Sequence, residues 1–374
     1  MNPYFLPAYI YIERRKSILK GIILCGGKGS RLRPITLSLP KQLIPIVNKP
    51  ILFYIIDSFI ESDIYDIGII VNNNEEVFKE ALKYYNDEDI NITYINQQEP
   101  LGLADAVLKA EEFVKDDNFL MVLGDNFYNI DIRGFIDSYL LSKTNCKLML
   151  KEVKDPQRYG IAYIEDDKIK NLIEKPKNPL SNLAITGIYL FDNNIFKACK
   201  SITPSLRGEL EITDAIRWLL YNGYDIGYEI IKKGWEDLGK PEDIIQANKN
   251  KLKTIEFNIQ GFVENECEII GDIKLGKNSK IINSIIIGPV TIGENTVIKN
   301  SIIGPYVSIN DECYIENSQI QSSIILDRCQ IENITNGIYN SIIGSDSVFE
   351  NRNKSKKGYS LILGKDSKII LNEK

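Results

Sequence analysis

Apolar positions follow three different periods along this chain. Near-continuous apolar runs of strand length occur at 22–24, 67–71, 92–95 and 119–123, the pattern of strands buried on both faces. Between them, Ile51, Tyr54, Ile55, Ser58 and Phe59 recur at helical spacing directly after Pro50, and helical patterns cover 75–85 and 104–114. Strands that alternate with helices predict a mostly parallel sheet with both faces covered, and such sheets collect ligands at the carboxyl ends of their strands. From 147 to 190 the period becomes two, with Pro-Gly-Asn turns, which predicts a β-rich insertion; a helix with apolar residues at 212, 216, 219 and 220 follows. Beyond about 250 the period is six. Ile269, Leu275, Ile281 and Ile287, then Val297, Ile303, Ile309 and Ile315, predict a parallel β-helix of hexads.

The first run breaks at Gly26, Gly27 and Gly29, where backbone N–H groups can approach an anion. Arg31 and Lys41 flank the turn and supply what a polyphosphate requires, a guanidinium fork and a point charge. Pro34 argues against a long helix after the loop, and neither the dinucleotide nor the P-loop spacing is met. Two polar groups stand near ends of apolar runs. Asp125 in Leu-Gly-Asp-Asn reads as a turn aspartate or as a ligand residue, and Gln97 or its neighbour Gln98 as a loop amide able to offer a donor and an acceptor.

Composition narrows the chemistry. With 374 residues and a net charge of −6 the chain is long enough for two domains and is not read as a nucleic-acid binder. It contains no histidine, so proton transfer and metal ligation fall to carboxylates, lysines and arginines. Its six cysteines form no CxxC pair, which points away from zinc and toward a reducing cytoplasm. No run reaches the roughly 20 apolar residues of a spanning helix, so no membrane partner is expected. In residues 1–20 the apolar stretch precedes the basic cluster, the reverse of a secretory leader.

The run Gly26-Gly27-x-Gly29-x-Arg31-Leu32-x-Pro34, with Pro40-Lys41-Gln42-Leu43-x-Pro45 and Asn48-Lys49-Pro50, closely resembles the sugar-1-phosphate nucleotidylyltransferases, most of all the glucose-1-phosphate thymidylyltransferase branch. The resemblance covers about 20–250 and implies a Rossmann-like α/β catalytic domain with a β-rich sugar-binding insertion. It implies that Gly26, Gly27, Gly29, Arg31, Gln97 and Gly102 bind the nucleotide, and that Arg31, Lys41, Asp125 and Lys175 are catalytic. Asp125 and Asp237, the latter in Trp235-Glu236-Asp237-Leu238-Gly239, would hold Mg²⁺; Leu238 departs from the family's usual Thr. Tyr159, Gly160, Glu174, Lys175, Gly187 and Tyr189 would bind the sugar phosphate, with the 207–214 segment bordering that pocket.

The implied organisation is an N-terminal extension at 1–18, dispensable for folding; a catalytic domain at 19–250; and a left-handed hexapeptide β-helix at 251–374, assigned to homo-oligomer assembly and stiffening. The implied reaction is thymidylyl transfer from dTTP to glucose 1-phosphate in the cytoplasm. UTP is the alternative nucleotide. A second, acyltransferase activity of the tail meets the absence of histidine, and a silent regulatory subunit meets the presence of every catalytic position.

Overall fold

The structure is a computed structural model that describes residues 17, 19–27, 29–87 and 90–351. Of the proposed extension only Ser17 falls among them. The described residues divide into two compact units, one drawn from within 1–26, 56–123 and 131–232, the other from within 27–55, 124–130 and 233–374.

The first unit is built on a sheet whose strands, in chain order, are β1 (Lys20–Leu24), β2 (Asp66–Val71), β3 (Asn91–Asn96), β4 (Phe119–Leu123), β5 (Cys146–Glu152), β6 (Gly160–Glu165), β7 (Lys168–Glu174), β8 (Leu183–Phe191) and β9 (Ile226–Ile231). The order is β7-β6-β8-β4-β1-β2-β3, with β5 pairing β8 and β9. Strands β4, β1, β2 and β3 are parallel, as their apolar runs predict. The β-rich insertion is not a separate layer: β8 pairs antiparallel to β4 and extends the same sheet. Its residues gain burial there that a free-standing meander would lack. Helices Leu103–Lys109 and Ile212–Tyr221 belong to this unit, and their apolar faces join Ile22, Met121, Leu148 and Phe191 in one core. The helical pattern at 104–114 divides at Ala110 into Leu103–Lys109 and Glu111–Val114, and the pattern at 75–85 tightens after Ala81 into a 3₁₀ turn.

In the second unit the tail forms a parallel β-helix of three sheets, with six, six and five strands among the described residues. Ile281, Ile298 and Ile315 stack in register, 17 residues apart. Three full hexads would need 18, so these coils are a residue short; elsewhere the offset is 16, as between Tyr314 and Gln330, or the full 18, as between Gln330 and Val348. The inward series is therefore Ile281, Ile286, Ile292, Ile298, Ile303, Ile309 and Ile315, all buried. Ile287 and Val297, expected inside from a strict hexad, are only partly buried.

The same unit contains the Pro45–Ile46/Lys49–Pro50 hairpin, the ladder of Asn126–Tyr128 with Trp235–Asp237, and the helix Pro241–Leu252. One apolar cluster joins them to the coils: Leu32, Ile44, Ile46, Phe127, Leu238 and Ile244 pack with Ile324 and Leu326. Residues of the tail thus share a core with Leu32, Ile44 and Ile46 of the segment that follows the glycine loop. Among the described residues no helix is long and apolar enough to cross a membrane.

Candidate active site

In the first unit, Gln97 follows the end of β3 and is 6% exposed, whereas Gln98 is exposed. The Gln97 side-chain nitrogen donates to Asp105 Oδ2 at 2.8 Å and to the Gly102 carbonyl at 3.2 Å. A carboxylate in this contact only accepts, so the amide orientation is fixed and Oε1 is left as the acceptor. That oxygen lies toward Gly26, 3.3 Å from where a Cβ there would sit. Gly102 has φ 115° and packs on the Leu210 backbone, which a Cβ would strike; Ala104 N–H donates to Leu210 O and Leu210 N–H to Leu101 O. Asp105 was not anticipated. A carboxylate flanked by the buried Ala104, Ala106 and Val107 is the sequence signal that could have found it.

Glu174 ends β7 and Lys175 follows with φ 42°, its N–H donating to Tyr159 O at 3.0 Å. Thr213 Oγ1, at the start of the 212–221 helix, donates to Glu174 Oε2 at 2.7 Å. Lys175 Nζ and Arg207 Nη1 lie 3.5 and 3.6 Å from Glu174 Oε1. A Cβ on Gly160 would come within 2.8 Å of Thr213 Oγ1 and 3.0 Å of Glu174 Oε2, so this glycine permits the close approach. Gly187, at φ 86°, stands against Leu123 in the same way. Tyr189 is placed differently from the others. It is buried and stacked on Phe191, 5.6 Å between ring centres, so it supports β8 from the core. Nearby Glu211 is buried, and this desolvation pushes its carboxyl up against the opposing Ser205 hydroxyl, with Glu174 and Glu209 adding to the rise and Arg207 opposing it.

In the second unit, Gly29 takes φ 57° and faces Thr36, whose hydroxyl donates to the Gly29 carbonyl at 2.8 Å. Gly27 and Arg31 are exposed. Lys41 sits in the 3₁₀ turn Lys41–Leu43, its side chain 7% exposed, and its Nζ lies 2.9 Å from Asp125 Oδ2. Asp237 pairs in the ladder with Asn126, the residue after Asp125, so the two aspartates of the resemblance stand at neighbouring ladder positions.

A model of the nucleotidyl transferase family matches residues 20–254. The chain belongs to this family. The low-salt glycan biosynthesis nucleotidyltransferase Agl11 of Haloferax volcanii is 42% identical over 263 residues, covering 70% of this chain and 74% of that protein. A glucose-1-phosphate thymidylyltransferase of Streptomyces antibioticus is 40% identical over 273 residues, covering 72% and 76%. Among solved structures, UDP-glucose pyrophosphorylase complexed with UDP-glucose superposes with a TM-score of 0.58 at 26% identity, covering 64% of this chain and 100% of that one.

Nucleotidyl transfer brings charged phosphates and a divalent cation into question. Asp125 and Asp237 offer hard oxygen donors only, and among the described residues no group of three or more His, Cys, Asp or Glu could hold a metal ion. Carboxylate oxygens suit Mg²⁺, which keeps waters and phosphate oxygens in its remaining positions. The donor set fits the ion.

Proposed function

We propose that this nucleotidyl transferase moves a thymidylyl group from dTTP to glucose 1-phosphate, giving dTDP-glucose and pyrophosphate. The observation that carries the reading is the fixed Gln97 amide. With both of its N–H groups engaged by Asp105 and Gly102, Oε1 faces the base as an acceptor and suits the N3–H of a thymine or uracil. Adenine N1 and cytosine N3 are acceptors themselves and do not pair with it; guanine N1–H is a donor, so this oxygen alone does not exclude guanine. The thymidylyltransferase relative at 40% identity supports thymine. The same acceptor serves uracil, and the likeness to UDP-glucose pyrophosphorylase supports UTP as the second reading.

In this mechanism a phosphate oxygen of glucose 1-phosphate attacks the α-phosphorus in line. A new P–O bond forms, the bond from the α-phosphorus to its bridging oxygen breaks, and pyrophosphate leaves. The attacking oxygen is already anionic, so a chain without histidine needs no general base. Lys175 holds the sugar phosphate, and Glu174, kept in place by Thr213, accepts from sugar hydroxyls above Gly160 and Gly187. Gly26, Gly27 and Gly29 open the backbone to the triphosphate, and Arg31 neutralises the leaving pyrophosphate. Lys41 orients Asp125 and adds positive charge beside the phosphates. Asp125 and Asp237 would hold the Mg²⁺, which when bound supplies charge neutralisation on the phosphate oxygens. Catalysis is thus positioning and electrostatics. The catalytic part corresponds to 19–250 and the tail to 251–374.

The test is to incubate the full chain with Mg²⁺, glucose 1-phosphate and each of dTTP, UTP, ATP, CTP and GTP, and to identify products by mass. The expected product is dTDP-glucose, with UDP-glucose formed less well. Preferential use of ATP or CTP would overturn the reading.

A further inference from the structure

Val47 and Asn48 form the two-residue turn of the hairpin after Lys41, and both have positive φ, 51° and 60°. Asparagine tolerates this conformation, but a β-branched valine does not favour it and holds it only where its surroundings over-determine the backbone. Two contacts do so. Val47 N–H donates to Asn248 Oδ1 at 2.8 Å, and Asn48 Nδ2 donates to the Ile309 carbonyl at 2.6 Å. The same Asn248 oxygen accepts from Ser308 Oγ at 2.9 Å. Asn248 is 1% exposed on the helix 241–252, and Ser308 is fully buried on a β-helix strand, so both are held by packing.

From this arrangement we infer that Asn248 and Ser308 are positioning residues for the nucleotide-phosphate segment, and that the β-helix acts on the transferase reaction through them. The path is short. Ser308 sets the Asn248 amide, the amide fixes the strained turn, and the turn fixes the hairpin whose preceding residues Lys41–Leu43 carry the ammonium paired with Asp125. Ile44 and Ile46 lock the hairpin onto Ile324 and Leu326 of the coils. Glu174, Lys175 and Gln97 are not members of this path, so the effect is assigned to the triphosphate and not to the sugar phosphate. The inference rests on the reading of the Lys41 segment as the phosphate site.

Its test uses the full chain and three variants, Ser308→Ala, Asn248→Leu and Asn248→Asp. The aspartate keeps the acceptor for both donors and should rescue. Amide hydrogen exchange over 44–51 should accelerate in Ser308→Ala and Asn248→Leu but not in Asn248→Asp. In steady-state kinetics Asn248→Leu should raise KM for the nucleoside triphosphate about tenfold, with Ser308→Ala less affected and KM for the sugar phosphate within twofold of wild type. Equal changes for both substrates, or a lowered melting temperature with unaltered exchange and KM, would overturn the positioning role. A wild-type protein that transfers no nucleotidyl group would instead defeat the functional reading, while the exchange data still report on the turn.

Discussion

Thr213 Oγ1 donates to Glu174 Oε2 at 2.7 Å across 39 residues of sequence, and so ties the start of one helix to the end of the strand that leads into Lys175. The bond leaves Glu174 Oε1 toward the cations Lys175 and Arg207. In the proposed mechanism this orients the carboxylate for sugar hydroxyls and the ammonium for the phosphate. Lys175→Ala should therefore raise KM for glucose 1-phosphate at least tenfold, whereas Arg31→Ala should lower kcat/KM for dTTP and leave the sugar-phosphate KM nearly unchanged. Matching defects in both substrates for both variants would contradict the division of roles.

Lys41 and Asp125 form an ion pair at 2.9 Å with the lysine almost fully enclosed. Asp125→Asn removes a carboxylate from the proposed Mg²⁺ pair and leaves the ammonium unpaired. The variant should lose on the order of 10²-fold or more in kcat while its circular dichroism stays that of wild type. Near-normal turnover at limiting Mg²⁺ would show that Asp125 is not a metal ligand.

Asp105 tests the base reading without touching the base. In Asp105→Asn the partner can donate as well as accept, so Gln97 can present either end of its amide. The preference for dTTP over CTP should fall about tenfold, measured as a ratio of kcat/KM values. An unchanged ratio would mean that Gln97 does not select the base.

Much of this was legible in the sequence, and the reason is locality. The glycine loop, Asp125 after β4 and Gln97 after β3 each lie at the end of a short apolar run, so their placement at strand ends follows from pattern alone. The partners that fix them are not local. Asp105, Thr213 and Asn248 are polar residues on amphipathic helices, and only the packing of those helices brings them to Gln97, Glu174 and Val47. The hexads announced the β-helix, but the 17-residue offset of its middle coils, and hence the inward turn of Ile286 and Ile298, is seen only in the stacking between coils. Tyr189 lies in a strand buried on both faces, so its burial was not legible from alternation; its ring stacks on Phe191 in the core.

Glu211 gives the pH dependence a direction. Burial raises its carboxyl above the ordinary value of 4.5, so the folded chain binds that proton more tightly than the unfolded chain. Its contribution is present below the unfolded value and is lost as pH rises through the folded one. Glu211→Gln removes the titration and keeps an acceptor oxygen for Ser205 and Arg207. Between pH 4.5 and 7 the melting temperature of the variant, relative to wild type, should rise, and a constant difference would place the titration elsewhere.

The proposed reaction turns on attack by the sugar phosphate on the α-phosphorus, with cleavage of the bond to the bridging oxygen. Glucose 1-phosphate carrying ¹⁸O in its three non-bridging positions, turned over with dTTP and Mg²⁺, tests it most directly by mass spectrometry of both products. All label should appear in dTDP-glucose and none in pyrophosphate, with the two products formed in equal amounts. Label in pyrophosphate, or pyrophosphate released without nucleotide sugar, would contradict it.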